Sequence, residues 1–123
     1  MITLRPSFER LGVEVLRRFE NIPTADIVDA MGGSGAIDYR IGSLFSANAF
    51  VGSALTVQTP PNDNLSPFIA LDLVHPGDVV MISTRDFTAG ATIGDTLLAF
   101  YQRRGDAESS LSSSMVLCET SPA

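Results

Sequence analysis

One cysteine, one histidine and eight basic residues against fourteen acidic ones are all that 123 positions provide. The lone Cys118 excludes an internal disulfide framework and fits a reducing compartment. The few cations form no cluster beyond the pairs Arg17-Arg18 and Arg103-Arg104, so nucleic-acid binding by counterion release has little support. With a formal net charge of −6, an anionic substrate meets a repulsive field unless a local cation or dipole overcomes it. No apolar run approaches the roughly 18 residues of a membrane span. No basic region followed by an apolar stretch and a small-residue cleavage site opens the chain. P-loop, dinucleotide fingerprint, zinc spacing and serine-hydrolase elbow are likewise missing. These absences lead us to expect a soluble, cytoplasmic protein that binds neither nucleic acid nor membrane.

A hydrophobic content of 45% over this length suits one globular domain with a real core. Ser7 is placed to cap a first helix in which Phe8, Leu11, Val15, Leu16 and Phe19 recur at helical spacing, ending near Asn21. Thr24 is a candidate cap for a second, shorter helix, with Ile27, Ala30 and Met31 on one face and Gly32-Gly33 as its stop. The β-branched stretch Phe50 to Val57 predicts a strand that Pro60-Pro61 ends. Asp63 and Asn64 precede a third helix through Ile69, Leu71, Leu73 and Val74, and His75-Pro76-Gly77-Asp78 is a strong turn signal. Val79-Val80-Met81-Ile82 is the wholly apolar run of a buried parallel strand. A fourth helix spans Thr96 to Arg104 and closes at Gly105. Alternation of strand and helix makes the expected class α/β, with a mainly parallel or mixed sheet. That order requires a buried strand after the fourth helix. Asp106 to Ala123, with six serines and no clear period, reads instead as an irregular tail, so 1–105 and 106–123 are expected to be separate parts.

Several segments, taken in order, resemble one family: Thr24-Ala25-Asp26-Ile27-Val28-Asp29-Ala30-Met31, Gly52-Ser53-Ala54-Leu55-Thr56-Val57, Asp63-Asn64-Leu65, Ala70-Leu71-Asp72, Pro76-Gly77-Asp78-Val79-Val80 and Ala91-Thr92-Ile93-Gly94-Asp95-Thr96-Leu97. It is the family of 4-hydroxy-4-methyl-2-oxoglutarate aldolases and the related regulator of ribonuclease E activity A. Ser53 stands where many members carry proline. The resemblance implies a swivelling β/β/α domain, a divalent ion (Mg2+ or Mn2+), a small-molecule 2-oxo acid as substrate, and a homotrimer or dimer of trimers. It also implies retro-aldol cleavage to pyruvate, with oxaloacetate decarboxylation through the same enolate. By the same resemblance, Gly94, Asp95, Thr96 and Leu97 bind the substrate through backbone N–H groups, and Asp95 serves the chemistry by orienting metal-bound water. The physical logic stands alone: a glycine at a helix start lets an anion approach unsatisfied N–H groups and the positive dipole end. The alternative within the family is a non-catalytic regulator of the ribonuclease-inhibiting type, or an inactive remnant.

Relatives continue into an Asp-Gly-x-x-Arg-Asp motif, whose arginine grips the substrate carboxylate and whose last aspartate holds the metal. This chain lacks it, so no metal ligand is assigned here and a C-terminal truncation is expected. The genetic code offers a reason. When each codon's third base is joined to the first two bases of the next, Met115-Val116 forces glycine. Ser114-Met115 then permits aspartate, Leu117-Cys118 permits valine, Cys118-Glu119 yields arginine or stop, and Glu119-Thr120 yields asparagine or aspartate. Together they can spell Asp-Gly-x-Val-Arg-Asp, about three positions later than the family spacing. TCN serines from Ser109 to Ser114 become Phe, Leu, Ile or Val wherever serine follows. We therefore expect a frameshift after about Gly105.

Plainer readings exist for each residue. Asp95 in a first helical turn complements the dipole whether or not it serves a site. Asp29 is a surface residue or a site-lining one, and Gly94 an ordinary loop glycine or a substrate-facing one. His75 reads as a solvated turn residue, and Asp63 and Asn64 as helix caps. Arg85-Asp86 precedes Gly94 in the chain and so is not read as a substitute for the missing Arg-Asp pair.

Overall fold

The computed structural model describes residues 2–5, 7–39, 41, 49–85, 87, 89–105 and 114–118, the last five as backbone. Its elements run α1 (Val13–Arg17), α2 (Thr24–Ala30), β1 (Ser53–Gln58), α3 (Leu65–Ala70) with a 3-10 turn at Leu71–Leu73, β2 (Asp78–Ser83), α4 (Asp95–Gly105) and β3 (Ser114–Cys118). The sheet order is β1-β2-β3, and both pairs are parallel. Parallel neighbours need a crossover: α3 and the 3-10 turn join β1 to β2, and α4 joins β2 to β3. The expected α/β class with a small parallel sheet is what the chain forms.

Chemistry of the side chains explains the layering. Along β1, Ser53, Leu55 and Val57 are buried while Ala54, Thr56 and Gln58 are exposed, the period of two of a strand with one covered face. β2 is central and nearly continuous in its burial, with only Met81 and Ser83 half-buried. Leu55, Val57, Val80 and Ile82 pack on Ala70, Leu71, Val74, Leu97 and Tyr101, so the core lies between one sheet face and the crossover helices. Val80 and Ile82 are 1% and 0% exposed, and each such burial contributes about 2 kcal/mol. The opposite face stays open at Ala54, Thr56 and Gln58.

Two expectations require correction. The first helix is five residues long, Val13–Arg17, and starts at the cap residue Gly12 instead of Ser7. Long-range bonds hold the stretch before it elsewhere: the Leu11 N–H donates to Ser53 Oγ at 3.1 Å, and the Arg10 guanidinium pairs with Asp78. Only Leu16 of α1 is buried. In the tail, 114–118 is not irregular but a strand parallel to β2, with Val79 opposite Ser114 and Ser83 opposite Cys118. Met115-Val116-Leu117-Cys118 is apolar and suited to a pleated surface, and the strand satisfies one edge of β2. The rest of the tail lies outside the described residues.

Thr24, expected as the cap of α2, is instead its first residue, after Pro23, and no side chain caps that end. Elsewhere the turn signals hold. Gly32 and Gly33 end α2 with φ of 69° and 81°. Gly77 takes φ 83° in the turn before β2, where the Asp78 N–H donates to the His75 carbonyl. Gly52 is required by close approach: a Cβ there would lie 2.3 Å from the Gly77 carbonyl oxygen.

Candidate functional site

Ligands of parallel α/β sheets sit outside the carboxyl ends of the strands, where helices begin. Here that end is built by two loops, which follow β1 and β2. Thr59 continues the ladder, its N–H donating to the Ser83 carbonyl at 3.0 Å, while its fully buried hydroxyl donates to the Asp63 carbonyl at 2.7 Å. Thr84, also fully buried, ties its hydroxyl to the Phe87 carbonyl at 3.0 Å. The loops meet where Gly90 passes Asn62: a Cβ on Gly90 would lie 2.4 Å from Asn62 Oδ1. Asn62 itself has φ 57°. Sequence reasoning did not single out Thr59, Thr84 or Asn62. A threonine just past a buried strand was the available signal.

The β2 loop delivers the chain to α4, an 11-residue helix. Gly94 is its cap residue, because the Leu98 N–H donates to the Gly94 carbonyl at 3.0 Å. Leu97 is 3% exposed and anchored in the core, with Ile93 packed beside it. Asp95 and Thr96 face solvent. A Cβ on Gly94 would meet nothing within 4 Å, so the approach to the helix start is open. One of its N–H groups is already engaged: Asp95 Oδ1 accepts the Thr96 N–H at 2.7 Å. Thr92, 4% exposed, buries a hydroxyl that has no hydrogen-bond partner among the described residues.

The other candidates stand apart from this turn. Asp29 lies on an exposed face of α2. Asn64 is the cap residue of α3 but makes no side-chain capping bond; Asp63, one residue earlier, accepts the Leu65 N–H on Oδ1 at 3.1 Å. The His75 N–H donates to Asp78 Oδ2 at 2.9 Å within its turn. Arg85 follows β2 with φ 58° and donates from Nη2 to Gln58 Oε1 at 3.1 Å. Asp86 lies outside the described residues, as does the Cys118 side chain. Among the described residues no three His, Cys, Asp or Glu side chains converge as a metal site requires. The donor set of the described residues therefore does not fit a divalent ion. No helix among them is long and apolar enough to cross a membrane.

The chain is thus a parallel α/β unit with an open, glycine-capped helix start at the carboxyl end of its sheet. The RraA-like family model, described as Aldolase/RraA, matches residues 24–108, and the chain belongs to that family. It is also 33% identical over 93 residues to a protein of Halalkalibacterium halodurans named "Putative 4-hydroxy-4-methyl-2-oxoglutarate aldolase". That alignment covers 76% of this chain and 44% of the relative, so the chain spans less than half the length of the protein it matches.

Proposed function

We propose that this chain carries the substrate-binding part of a lyase that cleaves 4-hydroxy-4-methyl-2-oxoglutarate-like 2-oxo acids to pyruvate. The observation that supports the reading is the open Gly94 cap at the start of α4, inside the family-matched segment. An anionic oxygen placed there meets backbone N–H groups and the positive dipole end. Asp95, exposed in the first turn next to Gly94 in sequence, is the proposed acceptor beside the bound carbonyl. Its bond to Thr96 N–H must open if that N–H is to serve the substrate, leaving a carboxylate oxygen free to accept in turn.

The chemistry narrows further. Retro-aldol cleavage takes the proton from the hydroxyl at C4, breaks the C3–C4 bond and leaves an enolate of pyruvate, which is then protonated at C3. Enzymes either replace that enolate by an enamine, formed from an imine of the substrate carbonyl on a lysine, or stabilise it with an electrophile. Every basic residue of the Lys/Arg type here is arginine, so this chain supplies no Schiff-base lysine. A divalent ion, Mg2+ or Mn2+, is the electrophile that the family resemblance implies. Its ligands are not provided by the described residues, and no step is derived through it. The same reading carries oxaloacetate decarboxylation, the swivelling β/β/α domain, a trimeric assembly and a cytoplasmic setting as its finer parts. Nothing in the structure favours the ribonuclease-regulating alternative.

The test is binding of oxalate, as an enolate mimic, to the purified chain by calorimetry, run beside pyruvate release from 4-hydroxy-4-methyl-2-oxoglutarate with Mg2+ or Mn2+. Oxalate binding without metal-dependent release is expected, because the described residues provide no metal ligands. No oxalate binding would overturn the reading.

A further inference from the structure

We propose that the free edge of β1 is a two-fold interface, at which a second copy of this chain adds its own β1 antiparallel so that one sheet runs through both copies. In the order β1-β2-β3, β1 is paired on one side only. The Thr59 N–H donates to the Ser83 carbonyl, so by the alternation of a strand Val57, Leu55 and Ser53 also turn their backbone groups toward β2. Ala54, Thr56 and Gln58 therefore turn N–H and C=O outward. No backbone group among the described residues bonds them there, and all three residues are exposed. Gly94 to Leu97 take no part, so the proposal stands or falls separately from the lyase reading.

The edge is open and carries nothing that blocks pairing. A groove of about 1120 Å3 is lined by Leu55 and Val57 from the core face of β1 and by Thr56 and Gln58 from the other face, so it follows the edge itself. Ile2 and Leu4 of the N-terminal arm border the groove without a backbone bond to β1. Free edges are ordinarily guarded by charged side chains, proline or a bulge. Ser53 to Gln58 contains no charge and no proline, and its register with β2 runs unbroken. No charged residue occurs from position 49 to 61. Two copies of a chain with net charge −6 repel, and this uncharged stretch is where they approach at least cost.

The strand is complementary to itself. Antiparallel pairing sets outward-turned residues opposite outward-turned residues. Two-fold symmetry then leaves one register in which Ala54, Thr56 and Gln58 all find partners within β1: Thr56 faces Thr56 of the second copy, and Ala54 faces Gln58 of the second copy. The neighbouring registers set Gln58 against Gly52, which precedes the strand, or Ala54 against Pro60, which has no N–H to give. Three facing pairs exchange about six backbone hydrogen bonds. The side chains suit this register as well. Leu55 lies beside Val57 of the second copy on the core face, and threonine faces threonine on the other, both favourable cross-strand pairs.

Sedimentation of the full chain at concentrations up to about 1 mM tests this. An assembly with an even number of copies is expected. Thr56 is exposed, so Thr56→Lys and Thr56→Glu should melt as the parent chain does, yet each should weaken the assembly at least about ten-fold by setting like charges opposite each other. An equimolar mixture of the two variants should restore it, because opposite charges then meet at the axis. In a Cys118→Ser background, Thr56→Cys should form an intermolecular disulfide on mild oxidation, since facing Cα atoms lie about 5.5 Å apart. Gln102→Cys, exposed on α4, should not. A chain that stays monomeric or forms only trimers, an assembly unmoved by Thr56→Lys, or Lys and Glu variants that fail to re-form it on mixing would each overturn the proposal.

Discussion

Arg10 and Asp78 form a two-pronged ion pair across 68 positions of sequence: Nε meets Oδ1 at 2.9 Å and Nη2 meets Oδ2 at 2.9 Å. The same guanidinium donates to the Leu73 carbonyl and rests 4.2 Å above the Phe8 ring centroid. Asp78, with its side chain 2% exposed, begins β2, and Arg10 lies ahead of the family-matched segment. The arm is thus clamped to the central strand. Removing one partner strands a buried charge, so Arg10→Ala should destabilise the chain by about 3 kcal/mol in urea unfolding. Arg10→Ala with Asp78→Asn should recover part of that loss. A single-variant effect below about 1 kcal/mol would mean the clamp contributes little.

Tyr101 gives the fold an alkaline limit. Its hydroxyl is buried and donates to the Pro67 carbonyl, and burial pushes its pKa up from 10.0 to about 12. Because the folded pKa lies above the unfolded one, the stabilisation is whole below pH 10 and is lost as pH rises through 12. Melting curves between these limits should show a decline of about 1 to 2 kcal/mol attributable to this group. Tyr101→Phe should lower stability by about 1 kcal/mol at neutral pH and flatten that decline.

Gly52 and Gly12 should respond in opposite ways to alanine. At Gly52 the new methyl would press on the Gly77 carbonyl at 2.3 Å and on Val79 Cγ2 at 2.8 Å, forcing the entry to β1 away from β2. A loss of about 2 to 3 kcal/mol is expected by thermal or urea unfolding. At Gly12 nothing lies within 4 Å and φ is −64°, so the change should stay within about 0.5 kcal/mol.

Gly94→Ala separates binding from folding. Its methyl enters open space at the head of α4, so stability should shift by no more than about 1 kcal/mol. The methyl nonetheless occupies the path of an anion approaching the helix start, and oxalate binding should fall several-fold in calorimetry. Unchanged oxalate affinity would place the ligand elsewhere.

The coding DNA from codon 105 onward tests the frame. The alternative frame should spell Asp-Gly-x-Val-Arg-Asp across the codons of Ser114 to Thr120. A stop at the Cys118-Glu119 junction, or any other residues there, would remove the case for a frameshift.

Local chemistry wrote much of this fold into the sequence. The apolar run Val79 to Ile82 read as a buried strand and is one, with Met81 half-buried on the open face. Pro76-Gly77 and Gly32-Gly33 marked turns because glycine alone tolerates their positive φ without strain, and the segments from Thr24 to Leu97 carried the family. Periodicity misled at Phe8 and Leu11, where helical spacing was present but Asp78 and Ser53, far along the chain, bound the segment in an extended course. Serine-rich composition hid β3, because pairing with β2 depends on an available edge that no local window contains. The same limit applies at the site. Sequence identified Gly94 to Leu97 as a helix start. Only the tertiary structure decided that the Gly94 approach is open, that Asp95 occupies the Thr96 N–H, and that Arg85 joins Gln58 across the ends of β1 and β2, since each depends on groups brought together by folding.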